Sequence, residues 1–142
     1  GGIDKDKKFI NKLYKQIIAG KKEIFVVDDK LGTPTYTYDF ANSIFKVLQT
    51  TYYGLYNQVC GGSCSRYDVA VELIKLMKLD KDVKVTKVDS DYFKEEYFAP
   101  RPYSEKLVNL KLDKRGINYM RDWKICLKEY AQVFIKDFNS KK

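Results

Sequence analysis

The chain has 142 residues, of which 44% are hydrophobic. This is enough for one sizeable core, and we expect a single domain over residues 1–142. Histidine is absent, which excludes Ser-His and Cys-His nucleophile pairs and an HExxH zinc site within this chain. No apolar run reaches the roughly 18 residues of a membrane span, and no signal-peptide pattern occurs.

The charge and the cysteines narrow the expected setting. The formal net charge of +8 favours phosphate-bearing ligands or polyanions. The basic residues are spread along the chain, which is more typical of a solvated face than of a nucleic-acid site. Three cysteines form an odd set without a secretory signal, so we expect reduced thiols and a cytoplasmic protein.

The N-terminal part predicts a helix followed by a buried strand. Phe9, Leu13 and Ile17 recur at steps of four within Lys7–Ala19, which indicates an amphipathic helix. Ile24–Val27 is continuously apolar, which predicts a strand covered on both faces, as in a parallel sheet.

A turn, a second helix and a second strand are predicted next. Leu31–Thr35 contains glycine and proline and indicates a turn. A helix is expected from Thr37, and Tyr53–Val59 resembles a strand. The expected core stripe of the helix consists of Phe40, Ile44, Val47 and Leu48.

The next part of the chain begins with a tight turn at Cys60–Ser63. Ser65 and Asp68 then form a near capping box, which predicts a third helix. Val83–Thr86 alternates as a half-buried strand does. The residues expected to be buried on the third helix are Val69, Leu73, Leu76 and Met77.

The last part of the chain predicts a long irregular segment and a closing helix. Asp89–Asn109 is rich in Tyr and Phe and holds two of the three prolines. A helix is expected over Asn118–Phe138, where Trp123, Leu127 and Phe134 follow helical spacing. The order of elements predicts an α/β fold with a few strands and about four helices.

Three loops are candidate sites. The Gly-rich turn Cys60–Ser65 precedes a helix, but it matches no phosphate-binding motif, so a capped turn is the favoured interpretation. Arg66, which follows it, has either a phosphate or a carboxylate as its partner. Arg101 lies between two prolines that restrict its backbone, as suits a group that grips an oxyanion, although a solvated linker is the alternative. Asp29–Thr35 is a strand exit that carries hydroxyl groups.

Five blocks of sequence occur in a specific order along nearly the whole chain. They are Val26–Thr35 followed by Asp39–Ala41, Tyr53–Asn57, Gly62–Ala70, Arg101–Ser104 leading to Leu107–Asn109, and Trp123 before the closing helix. Together they resemble the C-terminal part of the dTDP-4-dehydrorhamnose reductase family, within the extended short-chain dehydrogenase/reductases.

The resemblance implies a two-part enzyme. An N-terminal Rossmann domain would bind NADPH, and the α/β C-terminal lobe would hold a dTDP-sugar and complete the upstream domain. The reaction implied is reduction of a 4-keto dTDP-deoxysugar in rhamnose biosynthesis. Neither the glycine-rich cofactor fingerprint nor the catalytic Tyr-x-x-x-Lys occurs here, so we expect a fragment without catalytic residues or its own cofactor, inactive alone.

The resemblance also implies site residues and partners. Arg101 matches the position that approaches the nucleotide pyrophosphate, and Thr33, Pro34 and Thr35 match a loop near the cleft, with Arg66 a further candidate. The expected partners are the dTDP-sugar and the Rossmann domain; a homodimer stays open, and neither a membrane nor nucleic acid is expected. Asp91–Phe98 departs from the family pattern and leaves the sugar open. A non-catalytic regulatory subunit of the same fold, like that of methionine adenosyltransferase, is the rival hypothesis.

Overall fold

The computed structural model describes residues 8–95 and 101–141. Two small sheets and five α-helices make up this part of the chain, in the α/β class that the sequence predicts. The elements are α1 (Phe9–Ile18), β1 (Glu23–Val27), β2 (Leu31–Gly32), α2 (Thr37–Leu48), β3 (Cys64–Ser65), α3 (Arg66–Leu76), β4 (Lys84–Val88), a 3₁₀ helix (Ser90–Phe93), β5 (Ser104–Glu105), α4 (Leu110–Lys114) and α5 (Trp123–Ser140).

The core lies where α1, α3 and α5 meet β1. Apolar residues at helical spacing put Leu73 of α3 and Phe134 of α5 fully inside, as predicted. Tyr14 of α1 packs its ring 5.0 Å from that of Phe134, and its hydroxyl donates to Asp137 at 2.5 Å. Burial of Tyr14, together with this carboxylate, raises the pKa of its hydroxyl. The amphipathic first helix is therefore confirmed.

The main sheet joins β1 and β4 as parallel strands, in register from Glu23 beside Lys84 to Val27 beside Val88. Both strands were predicted. Cover on both faces was wrong, because Phe25 on the second face is 40% exposed. Its ring is only stacked on that of Tyr92, at 5.3 Å.

The second sheet was not anticipated as a sheet. Leu31–Gly32, predicted to lie in a turn, pairs antiparallel with Cys64–Ser65 and parallel with Ser104–Glu105. Two-residue strands give no period that a sequence pattern can show. This sheet brings together three segments that are distant in the sequence.

The predicted core stripe of α2 is wrong. Phe40, Ile44 and Leu48 are 39%, 37% and 76% exposed, and Val47 is only half-buried. The buried face of α2 instead carries Asp39 and Ser43. The apolar face has no partner within the described residues, since the helix turns its polar side toward the start of α5.

The predicted strand Tyr53–Val59 is also wrong as a paired strand, because this segment forms no ladder with the rest of the described chain. The side chain of Asn109 takes the place of a neighbouring strand. The Asn109 amide accepts from the Val59 N–H at 2.9 Å and donates to the Val59 carbonyl at 2.7 Å. Both groups are buried, so this amide satisfies backbone atoms that a strand would otherwise pair.

The C-terminal elements differ from expectation mainly at their ends. The capping box of α3 is confirmed, because Ser65 and Asp68 exchange side-chain and backbone hydrogen bonds. The last helix begins at Trp123, where the Asp122 side chain caps it, and α4 was missed. Residues 96–100, which include Pro100 and the end of the Asp91–Phe98 run, lie outside the described residues. Within the described ranges, no helix has the length and apolarity to cross a membrane.

Candidate functional site

A large groove of about 1910 Å³ is lined by residues of α1, β1, the second sheet, the 3₁₀ helix and the first half of α5. Its walls carry rings, hydroxyl groups and cations, a composition that suits a polar ligand with an apolar part. All five residues selected from the sequence line it: Thr33, Pro34, Thr35, Arg66 and Arg101.

The loop Thr33–Thr35 is fixed on two sides. Its Pro34 carbonyl accepts from the backbone N–H of Cys60 at 3.2 Å. The next residue, Tyr36, donates its N–H to Cys60 Sγ at 3.3 Å. The loop also follows β2 directly, so the second sheet holds its start. Both threonine hydroxyls are therefore carried on a restrained backbone.

Arg101 lies just before β5, on the same sheet. Its Nη1 is 3.5 Å from Glu105 Oε1, and 67% of its side chain is exposed. Exposure on this scale leaves most of the guanidinium N–H groups available to a ligand. Pro100, one of the two prolines predicted to restrict Arg101, lies outside the described residues.

Arg66 is the first residue of α3 and is exposed. Its guanidinium carbon is 6.0 Å from the centre of the Phe9 ring, a marginal cation–π distance. In the part of the chain that the structure describes, no carboxylate lies within ion-pair distance of it. A phosphate partner for Arg66 therefore stays a prediction.

A hydrogen-bonded network fixes the base of the groove. The Ser65 hydroxyl donates to Asp28 Oδ1 at 2.7 Å and accepts from the Asp68 N–H at 3.1 Å. Lys87 Nζ donates to the other Asp28 oxygen at 2.8 Å. The hydrogen bonds from Lys87 and then Ser65 lower the pKa of the Asp28 carboxyl. This network ties the end of β1 to the start of α3.

The groove lining includes all three cysteines of the chain. Cys60, Cys64 and Cys126 are all buried free thiols. Burial, and then the nearby Asp68, raises the pKa of Cys64 to about 11, so the thiol stays protonated at neutral pH. No metal-binding group of three or more His, Cys, Asp or Glu side chains occurs among the described residues.

The sequence pattern missed several groove residues. Phe25 and Tyr92 stack in its wall, and Lys30 Nζ lies 3.7 Å from the centre of the Tyr103 ring. No motif singles these residues out. The signal available was indirect, since Lys30 falls inside the strand exit that was considered as a site and Tyr103 inside the Arg101 block.

An ion pair behind the groove holds α2 against α5. The Asp39 carboxylate accepts from Arg121 Nε at 2.8 Å and Nη2 at 2.6 Å, and from the Cys126 thiol at 3.2 Å. Arg121 Nη1 also pairs with Glu129 at 2.8 Å. The hydrogen bonds from Arg121 lower the pKa of the buried Asp39 carboxyl below its ordinary 3.8.

This ion pair predicts a specific acid sensitivity. A lowered folded-state pKa adds stability that is present above pH 3.8 and is lost as the pH falls through the folded-state pKa. We expect Asp39→Asn to cost about 2 kcal/mol at pH 7 and to flatten the acid limb of stability. Urea unfolding between pH 7 and pH 2.5 measures both effects. Asp80→Asn, at an exposed site, is the control; an unchanged acid limb in Asp39→Asn would contradict the assignment.

Solved structures of the same fold define the class of this chain. It aligns with dTDP-4-dehydrorhamnose reductase from Yersinia enterocolitica at TM-score 0.83 and 31% identity, over 94% of this chain and 46% of that one. The reductase from Bacillus anthracis str. Ames, in complex with NADP, aligns at TM-score 0.73 and 28% identity, over 87% and 42%. The chain thus has the α/β fold of the substrate-binding region of these reductases.

The family follows from the sequence comparison. Residues 3–135 match the model of the RmlD substrate binding domain, and the chain belongs to that family. The spore coat polysaccharide biosynthesis protein SpsK of Bacillus subtilis (strain 168) is 30% identical over 112 residues, which are 79% of this chain and 38% of SpsK. The chain spans less than half the length of each of these three proteins. The predicted family is confirmed.

Proposed function

We propose that residues 1–142 form one lobe that holds the dTDP-sugar in a dTDP-4-dehydrorhamnose reductase-like enzyme. The proposed reaction of the whole protein is NADPH-dependent reduction of a 4-keto dTDP-deoxysugar in the cytoplasm, in rhamnose biosynthesis. The observation that carries the proposal is that one groove is lined by Thr33, Pro34, Thr35, Arg66 and Arg101.

The groove residues suggest a division of roles. Arg101 is exposed before β5 and would donate paired N–H groups to the diphosphate. Thr33 and Thr35, on their restrained loop, would hydrogen-bond the sugar or the base. Arg66 would add positive charge at the start of α3. The lobe would contribute by orienting the substrate, a large share of catalysis in such two-part enzymes.

The residues present do not fit the NADPH cofactor. The Gly61-Gly62 turn precedes α3, but it does not match the dinucleotide fingerprint, and the capping box already bonds the Ser65 and Asp68 N–H groups of that helix. The main sheet has only two strands in the described residues, so no switch point between strands forms a dinucleotide crevice. We therefore propose that NADPH binds the upstream Rossmann domain.

The apolar face of α2 is the proposed contact with that domain. Phe40, Ile44 and Leu48 form a continuous exposed stripe at helical spacing, and exposed Tyr53 and Leu55 follow it. The matched reductases contain more than half their length outside the region aligned with this chain. A Rossmann sheet offers both an apolar surface for the stripe and a strand edge for the unpaired segment after α2.

Titration of dTDP into the chain and into Arg101→Ala tests the function. We expect measurable binding, weakened at least tenfold by the substitution, because Arg101 would lose a charge-assisted contact worth about 1.4 kcal/mol or more. NADPH should give no heat. Arg115→Ala, an arginine outside the groove lining, is the matched control. A folded chain that binds no dTDP would overturn the proposal and favour a regulatory subunit.

A further inference from the structure

Two cations lie at the same end of the small sheet, although 71 positions separate them in the chain. Lys30 immediately precedes β2, and Arg101 lies three residues before β5. Parallel pairing sets Leu31 beside Ser104, and the Leu31 N–H donates to the Tyr103 carbonyl at 2.9 Å. Both cations line the groove.

Lys30 is positioned by a ring face and by one long ion pair. Its ammonium lies 3.7 Å from the centre of the Tyr103 ring, and the Asp29 carboxylate is at 3.9 Å, near the limit of an ion pair. Only 22% of the Lys30 side chain is exposed. A ring face positions an ammonium but accepts no proton and cancels little charge. The remaining N–H donors are available to an anion in the groove.

Arg101 has a weaker, more exposed partner. Its distance to Glu105 is 3.5 Å, and the two side chains are 67% and 53% exposed. Ion pairs of this kind contribute roughly 0–1 kcal/mol. A diphosphate, with more charge and bidentate geometry, is a better partner for the guanidinium. Glu105 also lines the groove, so its negative charge opposes the same ligand.

We propose that Lys30 and Arg101 together bind the diphosphate of the ligand, and that Glu105 is a built-in competitor that the diphosphate displaces from Arg101. The inference rests on the proposed function and extends it to Lys30, which the sequence indicates only as part of the Asp29–Thr35 strand exit, and to Glu105. Glu105 thereby favours highly charged ligands, because a ligand must bind Arg101 more strongly than the Glu105 carboxylate does.

Calorimetric titration of dTDP and of inorganic pyrophosphate tests the two roles separately. We expect Lys30→Met to weaken both ligands about fivefold, and Glu105→Gln to tighten both about fivefold at low salt, as for one unit charge about 4 Å away. Lys30→Arg keeps the cation and should restore most of the affinity. Lys106→Met and Glu95→Gln, exposed residues outside the groove lining, are the matched controls and should change neither ligand.

A double variant separates competition from a merely structural effect. If Glu105 acts by engaging Arg101, the gain from Glu105→Gln should shrink to about twofold or less in the Arg101→Ala background. The role of Glu105 is overturned if Glu105→Gln raises the affinity fully in the Arg101→Ala variant, or does not raise it in the wild-type chain. Unchanged affinity in a folded Lys30→Met chain overturns the role of Lys30. Absence of dTDP binding by the wild-type chain would instead refute the proposed function itself.

Discussion

Replacing Gly62 with alanine is expected to destabilise the chain by about 2–4 kcal/mol. Gly62 has φ +81°, and a Cβ built there would lie 2.9 Å from Trp123 Cδ1 and 3.1 Å from Asp122 Oδ2. Trp123 cannot easily move away from an added Cβ. Trp123 is buried at the start of α5, and its backbone N–H donates to the Gly61 carbonyl at 3.0 Å. Urea unfolding of the variant measures the loss.

Gly20→Ala is the matched control for this prediction. Gly20 has the same φ of +81°, but nothing lies within 4 Å of a Cβ built there. It should therefore cost only the strain of a left-handed backbone, about 1–2 kcal/mol. The difference between the two variants isolates the contact with Trp123. Equal losses at Gly62 and Gly20 would show that the close approach to Trp123 carries no energy.

Two leucines, both predicted from helical spacing to be core residues, are expected to behave in opposite ways. Leu73→Ala in α3 should lower the free energy of unfolding by about 3–4 kcal/mol, because Leu73 is fully buried. Leu48→Lys in α2 should change it by less than about 0.5 kcal/mol, because Leu48 is 76% exposed. Denaturant unfolding of both variants gives the two values directly.

A dye that reports exposed apolar surface provides a second measurement. Native-state fluorescence of anilinonaphthalene sulfonate should fall in Phe40→Lys and Leu48→Lys, since the charges interrupt the stripe on α2. Lys46→Met, on the same helix, is the control and should not lower it. A large loss of stability in Leu48→Lys would mean that this face is buried within the chain, and would remove the basis for a contact with an upstream domain.

The helices and strands were predictable where the residue pattern of one segment is enough to define its own structure. Leu13 and Ile17 in α1, the Ser65 and Asp68 cap of α3, and the apolar run of β1 each describe their own local structure. The same kind of pattern failed for α2 and for Tyr53–Val59. On α2 the pattern correctly indicates an apolar face, but that face is exposed among the described residues, and Tyr53–Val59 pairs with no strand there.

The candidate site was likewise predictable only in part. The amino-acid sequence by itself determined the family, the local helices and strands, and the identity of Arg66, Arg101 and the Thr33–Thr35 loop as candidates. Only the tertiary structure decided that they share one groove and that Lys30 and Glu105 belong with them. The physical reason is that β2 and β5 pair over just two residues each, so the contacts that join these side chains come from chain packing and leave no periodic mark on the sequence.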